Sequence, residues 1–107
     1  MQVINVNDMK IILNLKNYCI HKAAKKYYER AISQYFATQS QWHRAHLEKE
    51  IDNLKYFLEN ADVGQLRSSY PLLNGQTRLS ATLIITDHPD MWQIQFLDQM
   101  VDVIWKQ

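Results

Sequence analysis

The stretch that decides the fold runs from Arg78 to Gln107, RLSATLIITDHPDMWQIQFLDQMVDVIWKQ. Leu79, Ala81, Leu83 and Ile85 alternate there with Arg78, Ser80, Thr82 and Thr86. A period of two sends successive side chains to opposite faces and marks a half-buried strand. Asp87-His88-Pro89-Asp90 then turns the chain, after which Trp92, Ile94 and Phe96 alternate with Gln93 and Gln95. The pattern predicts an antiparallel meander. A competing reading takes Gln95, Asp98, Gln99, Asp102 and Lys106 as the polar stripe of a helix over 88–105, with Pro89 in its first turn. That alternative would make the protein mostly α.

Nearer the N-terminus the pattern predicts helices. Ile20, Ala24, Tyr27, Ala31 and Tyr35 recur at steps of four and three, one stripe of an amphipathic helix over about 20–37. Thr38 and Gln41 have the spacing of a capping box, which would start a second helix over about 39–61. Its apolar seam is Leu47, Ile51, Leu54, Leu58 and Ala61, and Asn60 to Gly64 supply the stop. Two long helices joined around Thr38 to Ser40 predict an antiparallel hairpin. Beyond Gly64 helix propensity gives way to β-branched residues and turn dipeptides, so strands are expected over about 68–105. Asn74-Gly75 is a strong hairpin turn. Met1 to Leu15 fits either a hairpin turning at Asn7-Asp8 or a short strand followed by a helix capped by Asn7. The expected fold is α+β, one globular domain over 1–107 with an N-terminal helical hairpin packed on a C-terminal β-meander.

Charge is distributed unevenly along the chain. From Met1 to His46 seven Lys and Arg accompany two carboxylates, net +5; from Leu47 to Gln107 five accompany nine, net −4. A two-signed surface steers encounter with a charged partner. With 107 residues, 47% of them apolar or aromatic and 21% charged, the composition is that of a globular domain. No apolar run is long enough to span a bilayer, and the start lacks the features of a signal peptide. Cys19 is the only cysteine, which excludes an internal disulfide and thiolate-rich zinc sites and fits a reducing, cytoplasmic setting. The two glycines, Gly64 and Gly75, cannot form a dinucleotide or phosphate loop.

Several constellations carry chemical potential. Lys22, Lys26 and Arg30 are four apart and form a basic row with Lys25 beside it, and Tyr18, Tyr27 and Tyr28 sit nearby. Cations among aromatics suit a nucleic acid, but a solvated helix face carries charge as well, Glu29 interrupts the row, and a pI of about 7.9 is below that of dedicated nucleic-acid domains. His43, His46 and Glu50 share one helix face, but two histidines three apart lack the usual metal spacing. His88, between Asp87 and Asp90, belongs to a turn for which Asp and Pro are the natural residues. Side chains of Cys19 and His21 diverge on a helix. These patterns call for no cofactor, no metal and no catalytic residue.

Trp92 and Trp105, with Phe96, Met91 and Met100, lie among Asp87, Asp90, Asp98 and Asp102. Aromatic anchors within a carboxylate rim are what a protein interface needs. The expected function is therefore a small protein-binding module of the immunity, antitoxin or inhibitor type. Its working surface would be Asp87, Asp90, Trp92, Asp98, Asp102 and Trp105, and its partner a basic protein. The alternatives are a nucleic-acid binder using Lys22, Lys25, Lys26 and Arg30, and a hydrolase or nuclease built on the histidines; a homodimer competes with all of these. A helical hairpin followed by antiparallel strands also resembles, in order of elements only, the small RNase toxins of bacterial toxin–antitoxin pairs. Members of that family need a basic cleft, from which this chain's acidic second half departs, so no residue role is carried over.

Overall fold

The computed structural model describes residues 9–15, 20–68, 79–86, 88–96 and 99–106. In chain order these form β1 (Met9–Leu15), α1 (Ile20–Ala37), α2 (Gln41–Asn60), α3 (Val63–Ser68), β2 (Leu79–Ile85), a 3-10 turn (Pro89–Met91), β3 (Gln93–Phe96) and β4 (Gln99–Asp102). The protein is α+β, with a helical hairpin packed on a four-stranded antiparallel sheet of order β1-β2-β3-β4.

Leu79–Ile85, Gln93–Phe96 and Gln99–Asp102 are strands, and the helix over 88–105 is overturned. Ile94 pairs with Leu83 on one side and Val101 on the other. Trp92, Ile94, Phe96, Val101 and Val103 are all buried, and only a period of two puts so many alternating apolar residues on one face. What survives of the helix start is the single turn Pro89–Met91, closed by Met91 N to His88 O at 2.9 Å and Trp92 N to Pro89 O at 3.1 Å.

The sheet is not wholly C-terminal. Met9–Leu15 is a strand rather than the start of a helix, and it pairs with β2 from Met9↔Ile85 to Leu15↔Leu79. Both proposed turns, Asn7-Asp8 and Asn74-Gly75, lie outside the described residues. Val63–Ser68, on the approach to the expected strands, is helical. Asp62 Oδ1 accepts from Gln65 N at 3.1 Å, capping the segment, and Leu66 anchors it in the core at 1% exposure.

In the hairpin, α1 buries Ile20, Ala23, Ala24 and Ala31, and α2 buries Leu47, Leu54 and Phe57. The small alanines let the helices approach closely. The cap of α2 differs from the expected box at Thr38. Thr38 N still donates to Gln34 O at 2.9 Å, so this residue closes α1. Ser40 caps α2 instead, its hydroxyl accepting from His43 N at 3.2 Å. Thr38 braces the turn, since its carbonyl accepts from Arg44 at 2.9 Å.

Phe57 lies at the centre of the core, with Ile20 and Ala24 from α1, Leu54, Leu66, and Leu13, Leu83, Ile85 and Ile94 from the sheet. The outer face of the sheet is open, with Ile12 60% and Met100 51% exposed. No helix among the described residues is long and apolar enough to cross a membrane.

Candidate functional site

The C-terminal aromatic residues converge on α2. Trp92 and Trp105 meet edge to face, with ring centroids 5.0 Å apart, and Tyr56 touches both at 5.4 and 5.2 Å. Phe57 lies behind them, 6.4 Å from Trp105. Two indole donors hold the group. Trp92 Nε1 donates to Thr86 O and Trp105 Nε1 to Pro89 O, each at 2.8 Å. Thr86 stiffens the same turn, its hydroxyl donating to His88 O at 2.9 Å and accepting from His88 N at 3.3 Å. Trp105 is fixed from the other side by a short antiparallel pairing with the end of α2. Asp62 N donates to Ile104 O and Lys106 N to Asn60 O, both at 2.6 Å.

This assembly divides the expected binding residues. Trp92 is 3% exposed and belongs to the core. Trp105 is half-buried and forms part of the surface, and Asp90 is exposed on the turn. Asp102 is exposed too, but it lies on the open face of the sheet, where Gln93 Nε2 donates to its Oδ1 at 3.0 Å. It is thus separated from the tryptophans by the sheet itself. Asp87 and Asp98 lie outside the described residues. Two surface residues missing from the sequence-based set are Tyr56, 40% exposed, and Met91, 60% exposed. Tyr56 stands off the apolar seam of α2 with Asp52 and Glu59 one helical turn to either side, a spacing that could have marked it.

The basic row is laid out as its spacing predicts. Lys22, Lys25, Lys26 and Arg30 are all exposed on α1, with Glu29 among them. The histidines do not gather. His43 Nδ1 is 3.1 Å from Thr38 Oγ1, whereas the His46 ring packs on Trp42 at 4.3 Å. Glu50 is half-buried, and that burial raises its pKa against the opposing influence of His43 and Arg30. Among the described residues no three His, Cys, Asp or Glu side chains form a metal-ligand group. Cys19 lies outside the described residues. His21 packs edge-on against Phe57, 6.1 Å between ring centroids, and burial followed by the Lys106 charge lowers its pKa. His88 is exposed on its turn.

A protein-family model matches residues 9–97, from the first residue of β1 to just beyond β3. The chain belongs to that family. A relative, an uncharacterized protein of Archaeoglobus fulgidus, is 32% identical over 59 residues, which cover 55% of this chain and 69% of the relative. No solved structure matches the chain significantly.

Proposed function

We propose that the protein is a small cytoplasmic protein-binding module that neutralises a basic partner, in the manner of an immunity protein, antitoxin or inhibitor. The surface is that of Tyr56, Trp105, Asp90 and Met91. One observation carries this reading: three aromatic rings in mutual contact, tied by two indole hydrogen bonds to the turn that presents Asp90 and Met91. Anchors held rigid before binding lose little conformational freedom on association, and Trp and Tyr dominate interface energetics. Asp52, Glu59 and Asp90 supply the acidic rim. Lys55 and Lys106 offset part of it, so aromatic contact carries most of the affinity and charge mainly steers the encounter. Parallel affinity captures from the native organism, with wild type, Tyr56→Ala and Asp90→Lys as baits, test this. A basic protein retained by the wild type, lost from Tyr56→Ala and retained less by Asp90→Lys is expected; an acidic partner, or one held equally by all three, defeats the reading.

A second reading, nucleic-acid binding, is favoured by the exposure of Lys22, Lys25, Lys26 and Arg30 along one helix. The order of elements shared with small RNase toxins makes single-stranded RNA the first ligand to try. Phosphate contacts by this row require affinity to fall steeply between about 50 and about 200 mM salt. Binding that is absent at low salt, or insensitive to it, removes this reading.

A further inference from the structure

The open face of the sheet presents two cross-strand rows. Register places Lys10 opposite Ile84, Ile84 opposite Gln93, and Gln93 opposite Asp102. Two residues along the strands, Ile12, Thr82, Gln95 and Met100 form the second row. Alternation puts all eight on the face away from the core. Both ends of each row are exposed: Lys10 and Asp102 in the first, Ile12 and Met100 in the second.

Each row is complementary to its own reversal. Let two copies stack with their open faces together, related by a two-fold axis that lies between them and runs parallel to the strands. Such an axis preserves position along a strand and exchanges left for right, so β1 comes over the partner's β4 and β2 over the partner's β3. Lys10 then faces the partner's Asp102, and Ile12 faces the partner's Met100. Both contacts occur twice, because a two-fold interface is self-complementary. Ile84 and Thr82 meet the partner's Gln93 and the partner's Gln95 at the centre. Stacked sheets normally rotate by about 30°, which displaces edge residues on four strands by only about 4 Å, within reach of a lysine side chain. Gln93 already holds Asp102 Oδ1, which orients the carboxylate and leaves its other oxygen for the incoming ammonium group.

The geometry points to a homodimer formed through this open sheet face, with a second copy of the chain as its occupant. Opposite charges at opposite edges of one row, and apolar side chains at both edges of the other, select that occupant over a partner of uniform charge. The contact buries on the order of 1,000 Å² in total, at the small end of specific interfaces. Association is therefore weak, concentration-dependent and reduced by salt.

Sedimentation equilibrium on the full chain, from about 10 μM to about 1 mM, tests the proposal. The wild type is expected to move from monomer to dimer across this range. Lys10→Asp sets aspartate against aspartate, and Asp102→Lys sets lysine against lysine, so each variant alone should dimerise about tenfold more weakly. Their equimolar mixture rejoins both opposite-charge pairs in a heterodimer and should recover wild-type affinity. Both positions are exposed, and a circular dichroism spectrum matching that of the wild type confirms that each variant folds. A monomeric wild type throughout, single variants that dimerise undiminished, or a mixture no tighter than its components would each overturn the assignment.

Discussion

Tyr56 and Phe57 are neighbours in sequence with opposite fates, and substituting each separates the core from the proposed surface. Phe57 is 0% exposed, packed against the His21 ring on one side and Trp105 on the other. Phe57→Ala removes a fully buried ring and leaves a cavity where the helical hairpin meets the sheet, a cost of about 3–5 kcal/mol. That is a large part of the roughly 5–15 kcal/mol that holds a domain folded. With a urea dependence of about 1.5 kcal/mol per molar, the unfolding midpoint should fall by about 2–3 M. Tyr56 is already 40% exposed, so Tyr56→Ala forfeits only part of a ring's burial and its two ring contacts, about 1–1.5 kcal/mol. Urea denaturation followed by tryptophan fluorescence reads both variants, because Trp92 and Trp105 border the site. The expected pattern is a severe loss of stability for Phe57→Ala and a mild one for Tyr56→Ala, with partner capture abolished in the latter. Equal destabilisation by the two substitutions would refute the division of the cluster into core and surface.

Burial raises the Glu50 pKa above its usual value near 4.5. From that pH up to the raised value, the folded chain holds a proton that the unfolded chain has released, so stability falls as pH rises through this window. Glu50→Gln should have a higher urea midpoint than wild type at pH 7 and a flatter pH profile above 4.5. His21 titrates with the opposite consequence, because its pKa is lowered from about 6.5. Its stabilising effect is present above that value and is lost as pH falls through the lowered one, so His21→Gln should weaken the acid-side decline in melting temperature. At the helix starts, Asp62→Ala and Ser40→Ala each remove a side-chain acceptor for an orphan N–H and should each cost about 1 kcal/mol in urea titrations. Losses under about 0.3 kcal/mol would mean that these caps are replaceable by water.

Much of the architecture was legible because it rests on local periodicity. The step of three and four from Ile20 to Tyr35 gave α1, and the alternation of Ala81, Leu83, Ile85, Ile94 and Phe96 gave the inner face of the sheet. Boundaries were less secure. Thr38 has the chemistry of a cap, but whether its backbone ends one helix or begins the next depends on where the hairpin turns. The Asp62-x-x-Gln65 signal was present and was masked by the turn character of Asn60 to Gly64. The candidate surface was half legible: Trp105 and Asp90 come from the segment expected to form it, whereas Tyr56 is supplied by α2.

The sequence alone determined the two long helices, the alternating apolar face of Leu79–Ile85 and the exclusion of phosphate loops and internal disulfides, since each depends on residue identity or short-range spacing. It left 88–105 and Met9–Leu15 open between helix and strand readings and predicted no helix at Val63–Ser68. Tertiary structure decided which of those elements meet. Only folding makes Met9–Leu15 the partner of Leu79–Ile85, with α1, α2 and α3 between them in the chain, because strand pairing depends on backbone hydrogen bonds that leave no local signature. Folding likewise carries Asp102 to the open face of the sheet and Tyr56 to the tryptophans. An acidic, aromatic segment that looked like a single patch is thereby divided between two surfaces, since successive residues of a strand point to opposite sides of the sheet.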